Sequence, residues 1–428
     1  MIIFVKCAII LEYAEEKPIL DKERYDMMNI SALILAGSGK ETNQKRPEAM
    51  WEVLGEPLIG WVIDSLKGMG IDDDRIGIIA EKAPASLTDY LSGRGGLRVF
   101  GRTGDAEELL SGNVLMIGAN TPFINCDTLA AALNEHTFTG NAATAIGFAA
   151  YWFRADALKK PLTGNMADIV ADIAANGGKI GELEIADPNI LLGAETRGDL
   201  LRLNITAKMA VIGKLLDEGV EFVSTDGVII EKTVKIGKDT TILPGTILRG
   251  NTVIGEDCVL GPNTLIENCT IGNGVILNSV QAYEAKVADR VKAGPFVQLR
   301  PGTVLHEGVK IGDFVEIKNS EIGTNTAVAH LTYLGDSDVG KGVNFGCGCV
   351  TANYDGVDKF RTKIGDHAFI GCNTNLVAPV EIGENATTAA GSTITKHDTV
   401  PANSLVIQRA ETVVKEDWEH NFKRKKKA

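Results

Sequence analysis

Aromatic side chains are scarce, at 6% of the sequence, which disfavours an aromatic-rich β-sandwich core. A basic excess is also missing. The formal charge is −13, whereas general nucleic-acid binding leaves a positive footprint. The one strong basic run, Lys423–Lys427, stands at the C-terminus and reads as a solvated tail. Cysteines number seven, an odd count in a long chain, so no disulfide framework is implied. Cys347, Cys349 and Cys372 lie near one another in sequence without a spaced His/Cys quartet for zinc, and small core residues are the expected reading. The apolar stretch Ile2–Leu11 is too short to span a bilayer and has no positively charged leader. No membrane insertion and a cytoplasmic location are expected.

Glycine, by contrast, is plentiful, with 47 copies in 428 residues. A chain this long has room for two or three domains. From residue 236 an aliphatic side chain recurs every sixth position: Ile236, Ile242, Leu248, Ile254, Leu260 and Ile266. The phase slips at Ile271. It returns at Ile311 and Ile317, then at Ile364, Ile370, Leu376, Ile382 and Ile394. Gly follows the aliphatic residue at many of these steps. A helix repeats near 3.6 and a strand alternates at 2, so period six fits neither. The pattern predicts a triangular prism of stacked coils, each hexad giving one short strand and one corner, with the aliphatic residue on the axis. The stretch Thr351–Lys363 breaks the register and is expected to leave the prism as a loop. Excursions of that length are often functional.

Upstream, Leu201, Ile205, Met209, Ile212 and Leu216 recur at helical spacing and predict a connecting helix. Ser31–Ala36 and Val114–Ile117 read as buried strands and Cys126–His136 as a helix, the alternation of a doubly wound α/β domain. Residues 1–27 fit no part of it. The expected division is an extension over 1–27, an α/β domain over 28–199, a linker over 200–227, a β-helix over 228–410 and a basic tail over 411–428.

The centre of the prism carries polar runs that a structural coil does not need: LRPG (299–302), VEIKNS (315–320), HLTYLGD (330–336), VNFGCG (343–348) and TANYDG (351–356). Here the chain resembles the bifunctional bacterial N-acetylglucosamine-1-phosphate uridylyltransferase / glucosamine-1-phosphate N-acetyltransferase family. The resemblance spans about residues 30–418 and is most specific at AHLTYLGD and NYDG. It implies a Rossmann-like nucleotidyltransferase-type domain followed by a left-handed parallel β-helix, the hand included. It further implies a homotrimer and acetyl transfer from acetyl-CoA to an amino-sugar phosphate between neighbouring prisms.

The residues that carry this chemistry follow from the family's motifs. Taken alone, a β-helix histidine is more often structural, but His330 stands where the family places its base, and imidazole titrates near neutrality. Glu316 resembles the carboxylate near it and is expected to orient the ring. Arg300 and Lys318 match acceptor-site cations, suited to a phosphate. Tyr333, Asn344 and Lys359 match further sugar contacts. Asn353, Tyr354, Ala390 and Arg409 match coenzyme contacts. So do Cys347 and Cys372, which stand where Ala and Ser are usual.

The N-terminal half departs from the family. Its pattern A-G-x-G-T-R-M followed by P-K reads AGSGKETNQKRPEAM (36–50) here. Gly37 and Gly39 persist, Glu41 replaces the Arg and Glu48 replaces the Lys. The metal-binding G-D appears as Ala119-Asn120, and the second metal position, an Asn, aligns with Glu195. Arg102 takes the place of a nucleobase-site glycine, and the segment after Asn165 is shortened to MAD. These losses predict an inactive uridylyltransferase half, with Mg²⁺ relevant only if that half works. The expected activity is therefore acetylation of glucosamine 1-phosphate, for UDP-N-acetylglucosamine and cell-wall precursors. Full bifunctionality is the alternative, and a non-catalytic regulatory or scaffold subunit a second. A β-helix carbonic anhydrase needs paired metal-binding histidines, and the six here (136, 306, 330, 367, 397 and 420) show no such pairing.

Overall fold

The computed structural model describes residues 29–36, 47–81, 83–158, 166–395 and 398–416. The extension over 1–27, Gly37, Gly39, Glu41 and the run Lys423–Lys427 lie outside them. The chain forms two units, the first ending at Ile212 and the second starting at Gly213.

In the first unit, strands β1 (Ile30–Leu35), β2 (Ile76–Ile79), β3 (Arg98–Phe100), β4 (Asn113–Gly118), β5 (Ala143–Ile146), β6 (Ala150–Arg154) and β7 (Ile180–Glu182) make one seven-stranded sheet. Its order is β3-β2-β1-β4-β6-β5-β7, with only β6 antiparallel to its neighbours. β1 and β4 bury nearly every residue, as continuous apolar strands covered on both faces must. Helices α1 (Leu58–Gly68), α2 (Ala85–Ser92), α3 (Cys126–Thr139) and α4 (Met166–Ala175) accompany the sheet. Asn125 caps α3 by accepting from the Thr128 amide at 2.9 Å, and Gly140 ends it with φ 62°. The strand order reverses between β1 and β4. In doubly wound sheets that switch point is where ligands bind, beyond the carboxyl ends of the strands. The segment after β1 and Ala119-Asn120 after β4 both start there.

The connecting helix α5 runs Arg197–Asp217. Of the five apolar residues whose spacing predicts it, Ile212 is buried. Leu201, Ile205, Met209 and Leu216 are exposed, while Leu203 and Ala207 are buried against Trp51, Val53, Leu54 and Leu58.

The second unit is a three-sided coil of parallel strands, in sheets of 11, 10 and 10. It starts at Glu221–Phe222, ahead of the expected residue 228, and its last strand is Leu405–Val406. Every aliphatic residue of the six-residue pattern named above is buried. Small polar residues share the interior, and their hydroxyls donate to carbonyls one coil away, as Thr303 Oγ1 does to Ile317 O at 3.0 Å. This satisfies polar groups that a dry axis would otherwise penalise.

The expected loop over Thr351–Lys363 is shorter than the sequence implied. Val350–Ala352 and Thr362–Ile364 remain strands of the prism, paired with Asn375–Val377 and Val380–Ile382. Only the residues between them leave it, closed by a bridge between Tyr354 and Lys359.

Candidate active site

Two faces of the prism meet at the corner residue Leu331. Strand Ala327–His330 ends on one side of it and Tyr333–Gly335 begins on the other. Asp313 lies in register with His330 one coil earlier. Its Oδ1 is 2.8 Å from His330 Nδ1, and this hydrogen bond holds the Asp313 carboxyl below the usual carboxylate range. An ionised Asp313 accepts a hydrogen bond from Nδ1–H, which leaves Nε2 as the basic nitrogen. Sequence reasoning missed Asp313. The assignment of Glu316 as the orienting carboxylate is corrected: Glu316 Oε1 is 2.7 Å from Arg300 Nη1 and belongs to an ion pair.

On the neighbouring face Glu316 pairs with Tyr333, and Lys318 with Gly335. The Lys318 ammonium is held below the ordinary lysine range, chiefly by Lys359 beside it, with Arg300 adding to the effect. Lys318 and Lys359 thus stand side by side with Arg300 acting on them, Glu316 and Asp336 offset part of that charge, and the remainder suits an anion. Burial raises the Tyr333 hydroxyl above its ordinary range, and the Glu316 charge adds to that. Gly335 is required where it stands. A Cβ there would lie 2.4 Å from Tyr333 Oη and 2.9 Å from Asn353 Nδ2.

Asn353 is buried, and its amide donates to Asp336, which also accepts from Asn319. This places Asn353 at the anchored base of the loop. Arg361 pins the other end through Asp338 and the carbonyls of Asn319 and Ser337. Tyr354 is exposed, its hydroxyl donating to Gly356 O at 2.6 Å. Asn344 is exposed on the strand after that of His330.

Coil by coil, the register carries His330 to Cys347, Cys347 to Cys372 and Cys372 to Ala390. The bonds Gly348 N to His330 O, Asn373 N to Cys347 O and Gly391 N to Cys372 O follow this column at 3.3, 2.7 and 2.8 Å. Residues scattered over the sequence therefore form one line. Arg409 is exposed beyond the last strand, after Gln408, whose amide donates to Ser392 Oγ at 3.3 Å. The small-core reading of the cysteines holds for Cys349, which is buried, and is corrected for Cys347, half-buried, and Cys372, exposed.

The bacterial transferase hexapeptide family (six repeats) matches residues 233–268 and 361–396. The bifunctional protein GlmU of Acetivibrio thermocellus is 34% identical over 447 residues, covering 91% of this chain and 96% of its own. Those of Thermosipho africanus and Clostridium perfringens are both 36% identical, covering 90% and 91% of this chain and 96% and 98% of theirs. This chain belongs to the GlmU family. It is accordingly a transferase, with a Rossmann-like unit ahead of a left-handed parallel β-helix of the acyltransferase kind.

In the Rossmann-like unit of this GlmU-family chain, the Ala194 amide donates to Asn120 O at 3.1 Å, bringing Asn120 and Glu195 side by side. Glu195 is exposed, and its own amide is bonded to Asp199 Oδ2 at 3.2 Å. Among the described residues no cluster of three His, Cys, Asp or Glu side chains stands ready for a metal. Glu48 is half-buried in a short turn, and Arg102 is exposed, capping the turn that follows it.

Proposed function

We propose that the β-helical unit transfers the acetyl group of acetyl-CoA to the amine of glucosamine 1-phosphate, and that the N-terminal unit makes no UDP-N-acetylglucosamine. The observation that carries this is the His330–Asp313 pair at the corner where a prism face begins, with Arg300, Lys318 and Lys359 toward the other end of that face. Arg300, Lys318 and Lys359 hold the phosphate, which fixes the sugar. His330 Nε2 takes a proton from the amine as its nitrogen attacks the thioester carbonyl. Asp313 keeps the imidazole in the required tautomer and faces the positive charge that forms on it. The carbon–sulfur bond breaks, the coenzyme leaves as its thiol, and the products are N-acetylglucosamine 1-phosphate and CoA. The coenzyme lies along the column Cys347, Cys372 and Ala390, with Tyr354 and Arg409 as further contacts. Three chains complete the site, because a single prism offers it only an outer wall.

The N-terminal reading rests on donor chemistry. Mg²⁺ is held through charged oxygen ligands. The residue at the family's aspartate position, Asn120, is neutral, and among the described residues the acidic neighbour brought to it, Glu195, is exposed. This pair does not fit the metal, and no step is routed through it. The alternative is full bifunctionality, favoured by the relatives' bifunctional names over both halves. The deciding experiment scores thiol release from acetyl-CoA and UDP-sugar formation separately in one preparation. Thiol release that depends on glucosamine 1-phosphate, without UDP-sugar, supports the proposal. No thiol release at all would support a non-catalytic subunit.

A further inference from the structure

We propose that Cys347 and Cys372 form a reversible disulfide that ties two adjacent coils together beside His330. The described cysteines of the prism fall into two groups. Cys258, Cys269 and Cys349 are buried in interior positions, where coils elsewhere carry Thr or Ser. Cys258 and Cys349 donate to carbonyls of the next coil, Gly272 O and Gly371 O, both at 3.2 Å. Burial pushes these thiols up, Cys349 to about 11, which keeps them unreactive. Cys347 and Cys372 instead stand on the outer side of one corner column, half-buried and exposed.

Their geometry suits a bridge. Phe345 pairs with Ile370, so Cys347 falls opposite Cys372 one coil away. Parallel strands repeat at about 4.8 Å, inside the roughly 4.4–6.8 Å between Cα atoms that a disulfide spans. The Cys372 sulfur leans across that gap. A Cβ built on Gly346, next to Cys347, would lie 2.9 Å from Cys372 Sγ. Glycine at 346 is demanded first by the Cys372 backbone, whose N and Cα would lie 2.5 and 2.8 Å from that Cβ, and the sulfur occupies the same gap.

The chemistry is exchange with a low-molecular-weight disulfide, RSSR. The exposed Cys372 thiolate attacks one sulfur, giving Cys372–S–SR and RS⁻. The Cys347 thiolate then attacks the Cys372 sulfur, forming the bridge and expelling the second RS⁻. Two protein thiols are oxidised, RSSR is reduced to two RSH, and the protein's two thiol protons end on them. The effect on catalysis rests on the function proposed above: the bridge stiffens the wall along which the coenzyme reaches His330, and acetyl transfer slows several-fold.

The test treats the full chain with oxidised glutathione, alkylates remaining thiols, digests without reduction and maps the peptides by mass. The expected product joins the segment holding Cys347 to that holding Cys372 within one chain, and dithiothreitol reverses it. Cys349→Ser, a substitution its interior position accommodates, should keep the link, and Cys347→Ala should lose it. The oxidised wild type should acetylate more slowly, in step with the linked fraction read by mass, and recover on reduction. A glutathione adduct on Cys372 that never resolves, or a link that needs Cys349, overturns the bridge. Full activity in linked protein overturns its role as a switch. Absence of acetyl transfer in the reduced chain would overturn the proposed function instead, since the link is read by mass.

Discussion

His330 and Asp313, 17 residues apart in sequence, face each other across one coil of the prism with Nδ1 and Oδ1 2.8 Å apart. An acid–base histidine works only if one ring nitrogen keeps its proton while the other accepts one, and this hydrogen bond assigns the two nitrogens. His330→Ala should therefore cut acetyl-transfer turnover by roughly 10²–10⁴-fold, the range for losing a general base. Asp313→Asn should cost less, on the order of tenfold to a hundredfold, with the KM for acetyl-CoA almost unchanged. Steady-state kinetics with both substrates varied checks this. An Asp313→Asn enzyme with wild-type turnover would remove Asp313 from the mechanism.

Of this pair only His330 is legible in the sequence, through its motif. The six-residue aliphatic rhythm is written directly into the chain, because each axial residue must stack on its counterpart. Ile236 through Ile266 could be read without coordinates for that reason. Which outer residues share a column is different. It depends on how many residues each coil contains, and the count drops wherever a corner is tight. Val253 pairs with Thr270 but Thr241 with Val259, so the offset is 17 in one place and 18 in another. Counting back a coil from His330 with the shorter offset reaches Asp313. The motif alone pointed to Glu316, which the coordinates give to Arg300. Helix α5 shows the same limit: its periodicity announces a helix, but not that Leu203 and Ala207 are the residues buried against Trp51.

Arg300, Lys318 and Lys359 are expected to act on acceptor binding more than on turnover. Charge-assisted contacts to phosphate are worth about 1.5–3 kcal/mol each. Lys359→Ala or Arg300→Ala should raise the KM for glucosamine 1-phosphate by roughly tenfold to a hundredfold. The KM for acetyl-CoA should move far less. Equal effects on both constants would mean that the cations serve the coenzyme instead.

Trimerisation is predicted to involve the corner that carries the site. Phe296, Phe314 and Leu331 stack along it, all exposed and all with positive φ. The two phenylalanine rings lie 5.3 Å apart, nearly parallel. Asparagine takes this conformation at Asn263, Asn325, Asn373 and Asn385, and it does so with less strain than a bulky apolar residue. Large apolar groups in a position that Asn fills more easily point to a surface that is covered. Phe314→Asn should therefore keep the coil folded while shifting sedimentation from trimer towards monomer. An active wild-type monomer at assay concentration would sink the idea.

The first unit should lose stability in acid through His136. Its ring is buried on α3, with Nδ1 3.0 Å from Thr144 Oγ1 and no partner for Nε2 among the described residues. Burial, helped by the Arg154 charge, lowers its pKa from 6.5 to about 4. The unfolded chain then binds more protons than the folded one between those values. Stability present at neutral pH is thus lost as pH falls from about 6.5 towards 4, by about 2 kcal/mol at pH 5. Urea unfolding followed by tryptophan fluorescence at pH 7 and pH 5 measures the difference. His136→Gln should flatten it, and an unchanged slope in that variant would assign the acid sensitivity elsewhere.

The N-terminal unit is expected to form no UDP-N-acetylglucosamine at any magnesium concentration. Departure of pyrophosphate builds negative charge, which the family meets with an arginine, a lysine and a metal. At those positions this chain has Glu41, Glu48 and Asn120. A carboxylate about 4 Å from a phosphate charge is repelled by about 1 kcal/mol even at the dielectric of water, and more where solvent is excluded. More magnesium cannot reverse the sign of two side chains. Glu195 works the other way, since it follows Ala194, whose amide is bonded to Asn120 O, and carries a charged oxygen that the family's asparagine lacks. The measurement is pyrophosphate release by the full-length chain given UTP, N-acetylglucosamine 1-phosphate and a magnesium titration. The same preparation is assayed for acetyl transfer, so that a null result comes from folded protein. Turnover on the order of 1–10³ s⁻¹, the ordinary range for enzymes, would restore the bifunctional reading. If Glu195 is what sustains such turnover, Glu195→Gln abolishes it and leaves acetyl transfer untouched.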